Sequence, residues 1–475
     1  MGSKIDDILS EVLKRTTPTR EEKRSMLALI ERLKRKIEKA AKQAKLDIII
    51  RVEGSVAKNT WLRETPEVDV FMQVPSTESR EALGTTYLGI ARKATEDAEQ
   101  IERFAEHPFL EVVLDSVRVN VVPCYCVKKG EWQSATDRTP FHTDYVKPLL
   151  NERLCGEVRI LKKFMKGINC YGAEIKIGGF SGYLCELLVL FYASFINVLK
   201  AASEWRQAFI DLEAFYQGRE DKAKLVFKDP LIIVDPVDRG RNAASAVRRE
   251  RLGEFISASR AFLDEPDINF FYPPETKPYG SERLLKMIRR RGSSLIFIKF
   301  GKSNAVPDIW WGQLYKSQKF LRRVVKQHDF SLIRDGVWSN EHNLSLFVFE
   351  VTHRSLPSFK THLGPPLDKR DECRRFLQKH LDSVHTISGP RIEGGRWIVE
   401  TKRKYVDLID LLRDKIKKKG NQSALGKHVA KAISKSLEIL DNEEILPMYS
   451  YNRKFAEFLT DYLNGKPKWL IKRRQ

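Results

Sequence analysis

Glu67 and Asp69 carry the clearest chemical meaning in the chain. They stand two apart where residues 68–74 read as a strand, so both carboxylates share one face. Two carboxylates on one face repel unless a cation lies between them. Oxygen donors of this kind suit Mg2+, which takes one or two protein carboxylates and completes its shell with phosphate oxygens and water. Just upstream, Gly54-Ser55 reads as a turn opening a helix, where backbone N–H groups can cradle a phosphate. The Ser55 hydroxyl and the Lys58 ammonium offer further contacts to the same anion. Together these residues read as a site for a metal-bound phosphate.

The elements that must position them follow from periodicity. Ile5, Ile8, Leu9, Val12 and Leu13 form one helical stripe. Thr17-Pro18 reads as an N-cap with proline at the first helical position. That helix runs to about residue 45, with Met26, Leu29, Ile30, Leu33 and Ile37 inward. A strand at 47–52 leads into a strand–turn–helix unit over 54–62. After the 68–74 strand come a helix over 80–103 and strands at 110–114 and 117–125, joined by a tight turn at Asp115-Ser116. Residues 1–150 thus form an α/β domain with mixed strands.

Residues 151–265 turn helical. From Glu157 on, Arg159, Lys162, Lys163 and Lys166 give an amphipathic helix one basic face. Residues 183–199 read as a single apolar helix. In residues 266–475, strands at 294–300, 330–337 and 345–351 around a helix at 313–327 suggest a ferredoxin-like half. Trp310-Trp311 reads as a buried helix start, and late helices fall at 405–417 and 426–440.

The 475 residues leave room for about three domains. Lys and Arg number 84 against 63 Asp and Glu, a net charge of +21, with 42% apolar residues. The chain can build real cores, and its charge favours an anionic partner, nucleic acid first. The N-terminus has no signal-peptide core. The 183–199 run is only 17 residues long and carries Glu186 and Asn197, against the roughly 20 apolar residues of a membrane span. We expect a core helix there and no membrane. Six cysteines without a closely spaced framework favour a reduced cytoplasm, and the nine histidines and the cysteines show no zinc-finger spacing.

The segment GSVAKNTWLRETPEVDVF (54–71) resembles the signature of the DNA polymerase β-type nucleotidyltransferases. With FAEHPF (104–109), VNVVPCY (119–125), DRTPFH (137–142), YGAEIKIGGFSGYLCELL (171–188) and DPVDRGRN (235–242), the chain resembles archaeal-type, class I CCA-adding enzymes. The resemblance is dense through the first two domains and thins after residue 266. It implies template-independent addition and repair of the 3′ CCA of tRNA from CTP and ATP by two-metal nucleotidyl transfer with Mg2+. It also implies a multidomain α/β and α+β fold: a polymerase β-like catalytic head (1–150), a helical neck for the nucleobase (151–265), and a ferredoxin- or RRM-like body with a tail for tRNA (266–475). A homodimer stays open.

By motif match, Glu67 and Asp69 take two of the family's three metal-binding carboxylate positions. Gly54, Ser55 and Lys58 meet the triphosphate. His107, Thr139 and His142 line the nucleotide site, Lys162 and Tyr171 contact ribose or triphosphate, and Arg241 meets the base edge. The third carboxylate position holds Asn120, a neutral and poorer ligand for a hard cation. Asp115, the nearest acidic residue, lies at a predicted hairpin tip rather than beside Asn120. The asparagine is expected to leave nucleotide binding intact and slow transfer strongly, or to mark an inactivated form. The chain is then a natural tRNA-binding paralogue without much catalysis on the same scaffold, an engineered or trapped variant, or an enzyme in which another group compensates. An RNA adenylyltransferase of the same superfamily is the further rival; only CCA addition consumes CTP.

Overall fold

The computed structural model describes residues 2–104, 108–302, 304–418 and 423–471. It divides into two units, Met1–Glu275 with Lys466–Gln475, and Thr276–Gly465.

The first unit opens with helices α1 (Gly2–Thr16) and α2 (Arg20–Gln43). The α2 cap is Thr19, not Thr17. Glu22 stands three residues on, so the Thr19 hydroxyl accepts from its N–H at 3.1 Å and the Glu22 carboxylate accepts from the Thr19 N–H at 2.7 Å. This reciprocal box outcompetes a proline start two residues earlier. A five-stranded sheet follows: β1 (Ile49–Glu53), β2 (Glu67–Pro75), β3 (Gln100–Phe104), β4 (Pro108–Leu114) and β5 (Val117–Cys126), in the order β1-β2-β5-β4-β3. Only the central β2–β5 pair is parallel. The turn α3 (Gly54–Ala57) joins β1 to the segment leading into β2.

The expected helix over 80–103 is shorter and interrupted. It comprises α4 (Arg80–Ala82), a π-turn at Leu83–Tyr87 and α5 (Leu88–Ala94), and the chain then extends into β3, which pairs with β4. Met26, Leu29, Ile30, Leu33 and Ile37 of α2 pack with Leu88 and Ala91 on one sheet face, against Val68, Val70, Val119 and Val121.

The same unit holds a helical core. It contains α6 (Thr139–Val146), α7 (Glu152–Gly167), α8 (Gly182–Tyr192), α9 (Phe195–Ser203), α10 (Glu220–Val226) and α11 (Arg249–Asp264), with a small sheet of β6 (Phe209–Asp211), β7 (Ile232–Asp235) and β8 (Asp238–Asn242). Phe164, Phe195, Phe255, Phe262, Phe270 and Phe271 interlock at its centre, mostly edge to face.

The expected 183–199 helix breaks. Ala193 takes a left-handed φ of 65°, and Ser194 then caps α9 by accepting from the Asn197 N–H at 3.2 Å. The two halves bend by 91°. Among the described residues no single helix is long and apolar enough to cross a membrane.

The second unit carries α12 (Ser281–Arg291), β9 (Ser294–Phe300), α13 (Pro307–Gln327), β10 (Leu332–Ser339), β11 (Ser345–Val351), β12 (Phe359–Pro366), α14 (Arg370–His380), β13 (Thr386–Glu393), β14 (Arg396–Lys402), α15 (Leu408–Lys417), α16 (Lys427–Lys435), β15 (Leu437–Asp441), α17 (Leu446–Tyr451) and α18 (Arg453–Asn464). The βαββ order expected from the sequence is present as β9-α13-β10-β11, in an antiparallel sheet ordered β10-β11-β9-β15. Trp310 and Trp311 are buried at the start of α13. The expected 426–440 helix ends at Lys435. Ile439 pairs with Ile298 across β9, so residues 437–441 form an edge strand instead.

Candidate active site

The parallel register of β2 and β5 sets Asp69 opposite Asn120, and β1 sets Glu53 opposite Asp69. Alternation then brings Glu67, Asp69 and Asn120 to one patch. The Asn120 amide Nδ2 donates to Glu67 Oε1 and to Asp69 Oδ1, each at 2.9 Å. Burial pushes the Asp69 carboxyl up to about 6; the Asn120 hydrogen bond opposes that shift, and the Glu67 charge adds to it. Two carboxylates thus share one neutral donor.

Gly54 closes the patch from behind. Its φ is +69°, and a Cβ there would lie 2.0 Å from Asp69 Oδ2. Only glycine lets the backbone turn this close to the carboxylate. Ser55 follows at the wall of a cavity of about 380 Å³, which is also lined by Thr60, Glu67, Lys162, Lys166 and Tyr171.

Behind this wall lies a second carboxylate with the opposite surroundings. Glu186, on α8, is 1% exposed. It accepts from Lys58 Nζ at 2.5 Å, from Thr60 Oγ1 at 2.6 Å and from Lys162 Nζ at 3.1 Å. Burial alone would raise the Glu186 pKa, but Lys58 and Lys162 outweigh it and bring it to about 2. Burial pulls the Lys162 ammonium downward. Two lysines against one carboxylate leave a net positive charge at the cavity wall. Gly182 permits this packing, since a Cβ there would meet Tyr171 OH at 3.0 Å and Lys162 Nζ at 3.4 Å.

The basic face of α7 is therefore not a solvated surface. Arg159, Lys162 and Lys163 are buried. Arg159 donates to the Asn59 and Trp61 carbonyl oxygens, Lys163 pairs with Glu64, and Lys166 donates to Thr65 Oγ1 at 2.7 Å. The sequence alone does not show these partners, because they are the backbone and side chains of the 59–65 segment, about a hundred residues away.

A third hub is Asp235, at the end of β7 and fully buried. It accepts from Arg241 Nη1 at 2.5 Å, from Tyr183 OH at 3.0 Å and from the Val237 N–H at 3.1 Å, and its Oδ2 lies 3.0 Å from His142 Nε2. The His142 ring stacks on Tyr183 at 4.0 Å. Burial lowers the His142 pKa. Burial would raise Asp235, but His142 and Arg241 hold it down at about 2. Thr139 stands one helical turn before His142 on α6. Lys58 Nζ lies 5.6 Å from the Tyr183 ring, between the second and third hubs.

The structure thus brings together Gly54, Ser55, Lys58, Glu67, Asp69, Asn120, Lys162 and Tyr171, with His142 and Arg241 held at the Asp235 hub. His107 lies outside the described residues. Asp115 sits exposed at its hairpin tip, 2.5 Å from Arg32, and makes no contact with Asn120. Sequence reasoning assigned no role to Glu186, Asp235 or Tyr183. The available signal was a single carboxylate inside the apolar 183–199 run, and an aspartate closing a buried Ile-Ile-Val strand.

Among the described residues no group of three or more His, Cys, Asp or Glu could hold a metal ion. At this patch the third member is an amide. The donor set of two carboxylates and an amide still fits a hard divalent cation, because an amide oxygen is an acceptable neutral ligand.

Family models and curated relatives match most of the chain. A nucleotidyltransferase domain family matches residues 34–142, a tRNA nucleotidyltransferase second-domain family matches 156–272, and a CCA-adding enzyme C-terminal domain family matches 291–442. The CCA-adding enzyme of Methanosarcina mazei is 34% identical over 444 residues, 93% of this chain and 95% of the relative. That of Methanothermobacter thermautotrophicus is 34% identical over 461 residues, 96% and 97% of the two chains. That of Pyrobaculum islandicum is 36% identical over 413 residues, 86% and 93%. Among solved structures, a cytoplasmic RNA terminal U-transferase matches with a TM-score of 0.43 and 13% identity, over 55% of this chain and 94% of that one.

Proposed function

The chain belongs to the CCA-adding enzyme family, and we propose how its own residues divide the work of template-independent CCA addition to tRNA. The observation that carries the reading is the convergence of Glu67, Asp69 and Asn120 on one patch beside the Gly54 turn. Glu67 and Asp69 would hold the divalent ion, Mg2+ in this reading, and the Asn120 amide, once turned, would offer its oxygen as a third, neutral donor. A divalent ion held by Glu67 and Asp69 would supply neutralisation of the phosphate charge, and one held with the help of the Asn120 position would supply activation of the attacking 3′ hydroxyl. Ser55, Lys58 and Lys162 receive the triphosphate. Lys58 and Lys162 are preorganised by Glu186, so little rearrangement is needed when the anion arrives. Tyr171 borders the same cavity.

Arg241 and His142, oriented by Asp235 and Tyr183, read the base edge of CTP and ATP, with Thr139 on the same helix face as His142. A planar guanidinium pinned through one nitrogen keeps its remaining donors aimed. The division into head, neck, and body with tail is supported by the three family segments at 34–142, 156–272 and 291–442.

Asn120 is the weak point. It removes a negative charge from a site whose function is to concentrate cations, so transfer is slow while nucleotide and tRNA binding persist. The same asparagine supports a second reading, a tRNA-binding protein without transfer, because its amide already satisfies both carboxylates. The test is incorporation of labelled CTP and ATP into tRNA lacking its 3′ CCA, with Mg2+, by this chain and by its Asn120→Asp variant. Strong gain in the variant supports the reading. Equal, ordinary turnover in both sinks the metal argument. Tight tRNA binding with no incorporation by either favours the second reading.

A further inference from the structure

A second cavity, of about 480 Å³, lies in the first unit, between the β6 end, the segment after α10 and the start of α11. It shares no lining residue with the cavity at Ser55. Arg206, Lys224, Lys228 and Arg249 converge on it against a single carboxylate, Asp229. That carboxylate is engaged, since Asn242 Nδ2 donates to its Oδ2 at 2.8 Å. Among the described residues no carboxylate lies within 4.0 Å of Arg206, Lys228 or Arg249, and Lys224 reaches the exposed Asp221 only at 3.8 Å. The wall behind these cations is apolar and partly aromatic: Phe209, Phe227, Leu252 and Ile256. Leu225 and Val226 stand 71% and 61% exposed in the adjoining helix.

Three exposed cations with no ion-pair partner among the described residues, and a fourth held only by an exposed i, i+3 contact at 3.8 Å, face a half-aromatic wall and add little to this fold's stability. They match a ligand with a flat apolar body and a clustered negative charge. A cavity of about 480 Å³ falls within the range of roughly 300–1,000 Å³ common for small-ligand sites. We propose that this pocket is a second nucleotide site, taking the base against Phe209 and Phe227 and the phosphate on the arginine and lysine rim. The nucleotide is either free or part of an RNA strand; the pocket chemistry is the same for both. The site goes beyond CCA addition and makes no use of the Glu67–Asp69 patch. Ile232 in its floor lies three residues before Asp235 on β7, so the two sites share one short strand.

Gly253 supplies the decisive probe. It lines the cavity, is exposed on α11, and a Cβ there would meet nothing within 4 Å. Gly253→Leu fills the pocket without touching the rim charge, and leucine is the better helix former. The full chain, Gly253→Leu, and the rim double variant Lys228→Glu/Arg249→Glu are titrated by calorimetry with ATP and, separately, with a fluorescent single-stranded RNA oligonucleotide. An unchanged thermal midpoint checks each fold. For a free nucleotide the full chain takes two ATP and both variants take one. For an RNA-borne nucleotide ATP stoichiometry stays at one, and both variants bind the oligonucleotide about tenfold more weakly, the effect of losing roughly 1.4 kcal/mol. The proposal is overturned if Gly253→Leu leaves both titrations unchanged, including the case where the rim variant alone weakens RNA binding, because that is diffuse charge and not a pocket.

Discussion

Glu186 and Asp69 are carboxylates in the same unit, near the same two lysines, yet they are driven in opposite directions. Glu186 is held near 2 and Asp69 is pushed to about 6. Both suffer burial. The difference is the partner: Glu186 accepts directly from two ammonium groups, whereas Asp69 has a neutral amide and a neighbouring carboxylate. A buried carboxylate with cations is a finished structural element, and one without them is waiting for a cation. The first cluster fixes the cavity wall, and the second leaves the charge deficit that a divalent ion would meet.

The largest effect comes from breaking the finished cluster. Glu186→Ala leaves Lys58 and Lys162 buried without a counter-charge and should destabilise the first unit by about 3–5 kcal/mol, read as a lowered thermal midpoint. Lys58→Met keeps a Glu186–Lys162 pair, so its loss should be smaller while nucleotide affinity still falls. If Lys58→Met destabilises as much as Glu186→Ala, the two-lysine picture is wrong.

Asn120→Asp sharpens the other side of the comparison. A third carboxylate raises the charge deficit, so the variant should unfold earlier than the parent in chelator and gain more from added Mg2+. The expected gain in metal affinity is about 10- to 100-fold, measured as the Mg2+ dependence of the thermal midpoint. Arg241→Lys keeps the charge at Asp235 but loses the planar fork, and should lower kcat/KM for CTP and ATP by about tenfold with little change in tRNA affinity. A tRNA affinity that falls equally would move Arg241 out of the nucleotide site.

The remaining test of the comparison is in pH. The folded chain holds the Asp69 proton more tightly than the unfolded chain between the ordinary 3.8 and about 6, so this group's contribution to stability falls as pH rises through that window. Glu186 behaves oppositely. Its contribution is complete above 4.5 and is lost as pH falls toward about 2. Replacing Asp69 by Asn should flatten the upper limb only, and Glu186→Gln the lower limb only. Mg2+ should erase the Asp69 limb, since the ion competes with the proton for the same oxygens.

The second unit carries the same lesson at its surface. Arg289-Arg290-Arg291 reads as a basic cluster for RNA, yet Arg289 grips Glu443 at 2.6 Å and Arg291 donates to the buried Glu350 at 2.6 Å, which also accepts from Arg334. Arg322 is likewise held by Asp335. Charge runs in a sequence do not say which cations are already spoken for.

Local patterning settled a great deal. The i, i+3, i+4 stripe of α2, the alternation that buries Val68, Val70 and Val74 of β2, and the βαββ order of the second unit are short-range properties, written in neighbouring residues. The Glu-x-Asp spacing put two carboxylates on one face for the same reason, and the motif series named the family. Two departures are local as well, and the rest depend on contacts remote in sequence. The α2 start moved because Glu22 completes a cap, and the 183–199 helix broke where Ala193 turns left-handed. The strand at 437–441 formed because β9 offered an edge. Glu186 and Asp235 became hubs because folding brought Lys58, Lys162, His142 and Arg241 to them across 128, 24, 93 and only 6 positions of chain. Spacing along the chain encodes which face a residue takes; which charge neutralises it is decided only when distant segments pack, because a buried carboxylate has no fixed meaning until its partners are in place.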